Sequence, residues 1–206
     1  GVNTHPDFAP RVCERLSARF GIEVRETENH FQAQSAMDAA VFASGALKTV
    51  AVSLLKISND IRWLGAGPRA NLAEIALPEV QPGSSIMPGK VNPVIAESAT
   101  MVAAQVIGND ATIALAGGSG NFELNVMLPV IAYNLIQSIE ILGSASANLA
   151  DQCVSGLQAT DRGPALVEQG LMLATALAPV VGYDKAAEIS KEAYKTGKTI
   201  REVARE

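Results

Sequence analysis

The segment "PGSSIMPGKVNP", Pro82 to Pro93, places Ser84, Ser85, Lys90 and Asn92 among glycines and prolines. Asn92 followed by Pro93 suits the start of a helix, because asparagine accepts from the first free N–H groups and proline fits the first helical position. That end of a helix is positive and rich in unpaired donors. Lys90 adds a full charge beside it, so Lys90 and Asn92 together suit a carboxylate ligand. Ser84 and Ser85 lie on a glycine-bounded loop able to move over such a ligand, and Glu97, near the same helix end, can orient a base. The chemistry that fits this set is proton abstraction next to a carboxylate. Fixed donors would stabilise the dianionic aci-carboxylate formed.

A phosphate cradle fits poorly. GxxxxGK[ST] wraps phosphates with backbone N–H groups and offers a hydroxyl to Mg²⁺. Here Gly83 and Gly89 stand one residue too far apart, Val91 follows the lysine, and no clear strand precedes the loop. A plain connector has the same composition, since proline and glycine punctuate loops everywhere. The residues alone leave that reading beside the carboxylate-handling one.

The segment closes an irregular stretch, residues 65 to 92, with a short strand or turn expected in "AEIALPE". Irregular connections this long are often functional. Before it, apolar residues at helical spacing predict one helix from about Gln32 to Leu64, stopped by "GAGPR". After it, Asn92 should cap a second long helix ending at Gly117 and Gly118. Asn121 should open a third, with Pro129 in its early turns and an end near Val154. A first helix is expected from an N-cap at Thr4 to Gly21, followed by an extended "IEVRETE". Beyond Gly156 the pattern shortens. "ATDRGPALVEQ" and "GLMLATALAPVVG" read as short helices, "YDKAAEISKEAYKTG" as an amphipathic one stopped by Gly197, and "TIREVARE" as the start of another.

The class is therefore all-α. Residues 1–156, including the loop 82–93, form a long-helix bundle domain, and residues 157–206 a small helical domain. The long helices are apolar nearly all round, so they need partners on every side, which predicts self-association.

Composition narrows the function classes. Of 206 residues, 48% are hydrophobic and 18% charged, and the net charge is -5 without a Lys/Arg run. That argues against a nucleic-acid partner or a membrane surface. The longest uncharged run, Leu124 to Ile139, is shorter than a membrane span and contains Pro129. Cys13 and Cys153 are distant and read as reduced thiols. His5 and His30 belong to no ligand-spacing motif, so no metal is expected. The chain opens with "GVNTHPDFA" and no methionine, and is expected to be a fragment or a processed product.

Other polar and sulfur residues read as structural. Arg62 and Trp63 could face the site, but Arg62 is expected to pair with an acid and Trp63 to pack. Asn121, Glu123 and Asn125 should cap and bridge helices. Met37, Met87, Met101, Met127 and Met172 should fill the core, and the charges from Asp184 to Lys195 should form a solvated face.

"GSSIMPGKVNP" resembles the signature segment of the fumarase/aspartase superfamily of lyases. "NDIRWLGAGPR", "VIGND", "GSGNFELNV" and "GYDKAAEI" resemble class II fumarases in particular, across essentially the whole chain. "GPRANLAEI" departs from the family word in a way that touches packing more than chemistry. The resemblance implies reversible hydration of fumarate to L-malate, with no metal and no organic cofactor. It assigns the base to Ser84, substrate binding to Ser85, Lys90, Val91 and Asn92, and an acidic partner of a water-side histidine to Glu97. That histidine and the N-terminal ligands have no match here. The resemblance further implies a homotetramer with sites shared between subunits, in the cytoplasm or, in a eukaryote, the mitochondrial matrix. The chain alone is then expected to have little or no activity. An aspartase-like ammonia-lyase and a non-catalytic helical oligomerisation module are the alternatives.

Overall fold

The computed structural model describes residues 3–206. These are all-α except for one short strand pair. In chain order the helices are α1 (Phe8–Phe20), α2 (His30–Ser35), α3 (Asp38–Leu64), α4 (Val94–Gly117), α5 (Leu128–Gln152), α6 (Arg162–Glu168), α7 (Ala178–Val181), α8 (Tyr183–Thr196) and α9 (Ile200–Val203). Strand β1 (Ile75–Ala76) lies antiparallel to β2 (Gln158–Ala159), and 3-10 turns occupy Val154–Gly156 and Leu171–Ala176.

Helix α1 starts at Phe8 and not after Thr4, because a turn with Phe8 N–H bonded to the His5 carbonyl comes first. It ends as expected at Gly21, whose φ of 66° suits a residue without a side chain. The single helix expected over 32–64 is two. Asn29 caps α2 by accepting from Gln32 N–H at 3.1 Å. The Gln34 carbonyl, which a continued helix would give to residue 38, instead accepts from Asn125 N–H at 2.9 Å. A distant backbone donor thus breaks the helix, and Ala36 is extended. The third long helix begins at Leu128, later than expected. Residues 119–127 form a tight turn in which Asn121 and Leu124 pair and Asn125 Oδ1 accepts from Met127 N–H at 2.9 Å.

The chain divides into two compact units, and α3, α4 and α5 each contribute a stretch to both. One comprises the chain up to Lys48 together with Val106–Ile139. Its core is Ile113, Ala116 and Ile131, packed by Met37, Val41, Met127 and Leu135. Gly117 permits this approach, since a Cβ there would lie 2.6 Å from a Val41 methyl. Two buried polar groups of α4 tie this unit together. Asn109 Nδ2 faces Gln137 Oε1 at 2.9 Å, Ser138 Oγ at 3.0 Å and the Asn134 carbonyl at 3.4 Å. Asp110 accepts from Ser44 Oγ at 2.8 Å and from Lys48 Nζ at 2.5 Å.

The other unit comprises Thr49–Gln105 and Glu140–Glu206. Ile61, Ala96, Ala99, Leu149 and Cys153 form one cluster, joined by Leu54, Ile75 and Leu77. Ala174, Ala193 and Ile200 form another, with Leu177, Ile189 and Val203. Thr199 and Glu202 make a reciprocal capping box at the start of α9.

Several expectations are corrected by exposure. Met37 and Met127 do pack in the core, but Met87, Met101 and Met172 are exposed, as is Trp63 at 70%. Phe42, Leu115 and Tyr133 also present apolar surface on the long helices. By length and composition, α3, α4 and Leu128–Gly156 are apolar enough to cross a membrane, with mean hydropathy of 1.6, 1.2 and 1.2. The uncharged run underestimates them, because each apolar span continues past an isolated charge such as Lys48, Asp110 or Glu140.

Candidate active site

Residues 65–93 contain no helix, so their backbone groups must be satisfied by specific contacts. The stem is fixed first. Ala73 N–H donates to the Ala66 carbonyl at 2.7 Å and Glu74 N–H to the Leu64 carbonyl at 2.9 Å, fastening it to the end of α3. β1 then pairs with β2, and Leu77 joins the core.

The loop itself is pinched at its neck. Gly83 lies against the Lys90 backbone so closely that a Cβ would overlap the Lys90 carbonyl. Across the same neck, Asn92 Nδ2 donates to the Gly83 carbonyl at 2.5 Å. At the tip, Lys90 N–H donates to the Met87 carbonyl at 3.2 Å, and Gly89 turns the chain at φ 76°. Ser84 Oγ accepts from Ile86 N–H and Met87 N–H, both at 3.2 Å. Two N–H dipoles therefore point at this oxygen and favour negative charge on it.

Asn92 differs from its expected role. Its amide closes the loop and does not cap α4, whose first helical bond runs from Glu97 N–H to the Pro93 carbonyl at 2.9 Å. The carbonyl of Gly83 competes successfully for a side chain whose spacing suits a cap.

The six residues singled out by sequence fall into groups. Ser84, Lys90 and Val91 line one concavity of about 380 Å³, walled on the other side by Glu79, Val80 and Gln81. Glu97 lies in a different hollow of about 330 Å³, with Arg62, Trp63, Ala66 and Pro93. Ser85 and Asn92 line neither, Ser85 being exposed and Asn92 half-buried in the neck. Arg62 is bonded to an amide and not to an acid: its Nη1 donates to Asn59 Oδ1 at 3.0 Å. The pinch at Gly83 escaped sequence reasoning, whereas Arg62 and Trp63, which could face the site, do share a hollow with Glu97. Glycine content marked the loop, but only the fold shows which glycine is compressed. Among the described residues, no group of three or more His, Cys, Asp or Glu could hold a metal ion.

The family profile described as "Lyase" matches residues 1–108, and that described as "Fumarase C C-terminus" matches residues 173–206. The chain belongs to this lyase family. A relative named fumarate hydratase class II, from Methylorubrum extorquens, is 53% identical over 205 residues, covering 99% of this chain and 43% of its own length. A solved fumarate lyase:delta crystallin from Brucella melitensis superposes with a TM-score of 0.89 at 51% identity, over 96% of this chain and 46% of that one. A class II fumarase from Schistosoma mansoni gives a TM-score of 0.91 at 37% identity, over 98% and 46%. This lyase chain thus spans less than half the length of these proteins. The likeness to solved structures accounts for the all-α architecture and for long helices flanking the loop.

Proposed function

We propose that the protein carrying this lyase chain catalyses the reversible hydration of fumarate to L-malate, as the names of its class II relatives suggest. The observation that carries the proposal is the Ser84 oxygen, which receives two backbone N–H groups in a concavity shared with Lys90. A serine hydroxyl is a weak acid and needs such help to serve as a base. In the malate-to-fumarate direction, Ser84 takes the C3 proton. The electrons of that C–H bond pass into the adjacent carboxylate as an aci-carboxylate, which the Lys90 charge stabilises. The C2 hydroxyl then leaves with a proton as water, and the C2–C3 double bond forms.

Ser85, Val91 and Asn92 complete the substrate-binding segment in this reading. Asn92 acts through the loop neck, which its amide holds closed on the Gly83 carbonyl. Glu97, in its separate hollow, serves a histidine supplied from outside this chain, so that the water-side proton is handled by a second segment. The reaction so described uses no metal and no organic cofactor from this chain.

Apolar residues exposed on α3, α4 and α5 suit a homotetramer, and burying them against other helices suits a protein outside the membrane. The absence of a basic run disfavours nucleic acid. Free Cys13 and Cys153 suit the cytoplasm, or the mitochondrial matrix in a eukaryote. Residues 1–156 and 157–206 are taken as the bundle domain and the small domain, the separate Ala174 cluster supporting the division.

Fumarate formation, followed by its ultraviolet absorbance, tests the reading. Ser84→Ala in the complete polypeptide should lower kcat by roughly 10² to 10⁴-fold, the usual worth of a positioned base, with an unchanged circular dichroism spectrum. A near-normal rate removes Ser84 from the role. The 206-residue chain alone should show little turnover, and robust turnover would remove the need for outside groups. Fumarate offered with ammonia in place of water should give no amino acid.

A further inference from the structure

The start of the C-terminal region is bonded to the stem of the Ser84 loop through Thr160. Thr160 lies 87 residues from Ala73 in sequence, and its Oγ1 donates to the Ala73 carbonyl at 2.7 Å. Its backbone N–H donates to the Glu74 carbonyl at 3.1 Å, and its Oγ1 accepts from Arg162 N–H at 3.2 Å. Next to it, Gln158 and Ala159 pair with Ala76 and Ile75. Gly156 admits Pro78 so closely that a Cβ there would lie 2.6 Å from the proline ring.

The receiving end is unusual as well. Ala73 has φ 48°, a conformation that L side chains rarely adopt. It is held there from both sides, by its N–H bond to the Ala66 carbonyl and by the Thr160 hydroxyl on its own carbonyl. Such a conformation persists only where surrounding bonds over-determine it. Beyond Pro78, only Glu79, Val80, Gln81 and Pro82 intervene before Gly83, and all four line the concavity that contains Ser84 and Lys90. The wall of that concavity therefore hangs directly from the tethered stem.

We propose that Thr160 is a positioning residue for the Ser84 loop: through the Ala73 carbonyl it fixes the stem from which the concavity wall extends. Thr160 touches no substrate and acts only through the backbone of 73–82. The catalytic part of this inference rests on the reading of Ser84 as the base, whereas the tether itself does not.

The test compares Thr160→Val, which keeps the shape and removes the hydroxyl, with Thr160→Ser, which restores it. Amide hydrogen exchange on the 206-residue chain is the first readout. Thr160→Val should speed exchange across residues 79–92 by about tenfold, the scale of one hydrogen bond, while α4 and α5 keep their protection. Thr160→Ser should return it to the original rate. Turnover of the complete polypeptide is the second readout: Thr160→Val should lower kcat with little change in KM, and Thr160→Ser should rescue it. Unchanged exchange at 79–92, faster exchange throughout the chain, or failure of serine to rescue would overturn the tether. Faster local exchange with a normal kcat would overturn its catalytic role. If the unaltered polypeptide turns over no fumarate, the functional reading falls, and exchange alone decides the tether.

Discussion

Asn92 holds the carbonyl of Gly83 across the neck of the loop, nine residues back along the chain. The two ends of the segment that contains Ser84 are thereby joined at a point where no side chain fits. The loop is closed on itself through the Asn92 side chain, at a neck that leaves no room for a Cβ on Gly83.

Gly83→Ala should open this neck, because the added methyl and the Lys90 carbonyl cannot occupy the same space. Asn92→Asp should do so by another route, setting a carboxylate oxygen against a carbonyl oxygen at a cost of about 1–3 kcal/mol. Both variants should be cleaved faster by thermolysin near the exposed Ile86, while the core clusters around Ile61, Ile113 and Ala174, which contain no residue of 82–93, keep their packing. Cleavage at the original rate would show that the neck does not hold the loop.

Asp110 should make stability depend on pH. Burial pushes its carboxyl up, but hydrogen bonds from Lys48 and Ser44 and the Lys48 charge outweigh this and hold it below its ordinary value of 3.8. A carboxyl lowered by folding stabilises the folded chain above its unfolded value, and that contribution disappears as pH falls through the folded value. Asp110→Asn should therefore cost about 1–3 kcal/mol at neutral pH, the scale of a hydrogen bond to a charged group. The difference should vanish in acid below the folded value. Urea titrations of both proteins at neutral and acidic pH check this; an equal difference at the two values would contradict it.

Ser58 presents the opposite case. It is fully buried in α3, and its hydroxyl has no hydrogen-bond partner. A buried unsatisfied hydroxyl costs free energy, and alanine is also the better helix former. Ser58→Ala should raise stability by about 0.5–2 kcal/mol, seen as a higher urea midpoint with an unchanged slope. A lower midpoint would mean that the hydroxyl finds a partner in solution.

Local signals were legible where local chemistry decides the outcome. Gly21 and Gly197 end their helices in the left-handed conformation that glycine favours, and "TIREVARE" does open a helix. The composition of residues 82–93 was enough to find the loop. Two of the misreadings, the undivided helix and the role of Asn92, come from partners outside the local pattern. Nothing near Gln34 announces that Asn125 will take its carbonyl and divide a helix. Asn92 has the spacing of a cap and becomes a latch, because the Gly83 carbonyl competes for its side chain. Ser84 and Glu97 share one helix end in sequence, yet they occupy separate hollows once α3 brings Arg62 and Trp63 beside Pro93.

Asn109 bears on alignment. Alanines and isoleucines between packed helices are nearly interchangeable along an axis, so one helix could slip past another by a turn and still be greasy on the right side. A single amide meeting Gln137, Ser138 and the Asn134 carbonyl is not interchangeable. Slip would leave it stranded among hydrocarbon, a penalty that no apolar contact offsets. Asn109 therefore works as a vernier mark between α4 and α5, setting the phase of two otherwise slippery surfaces.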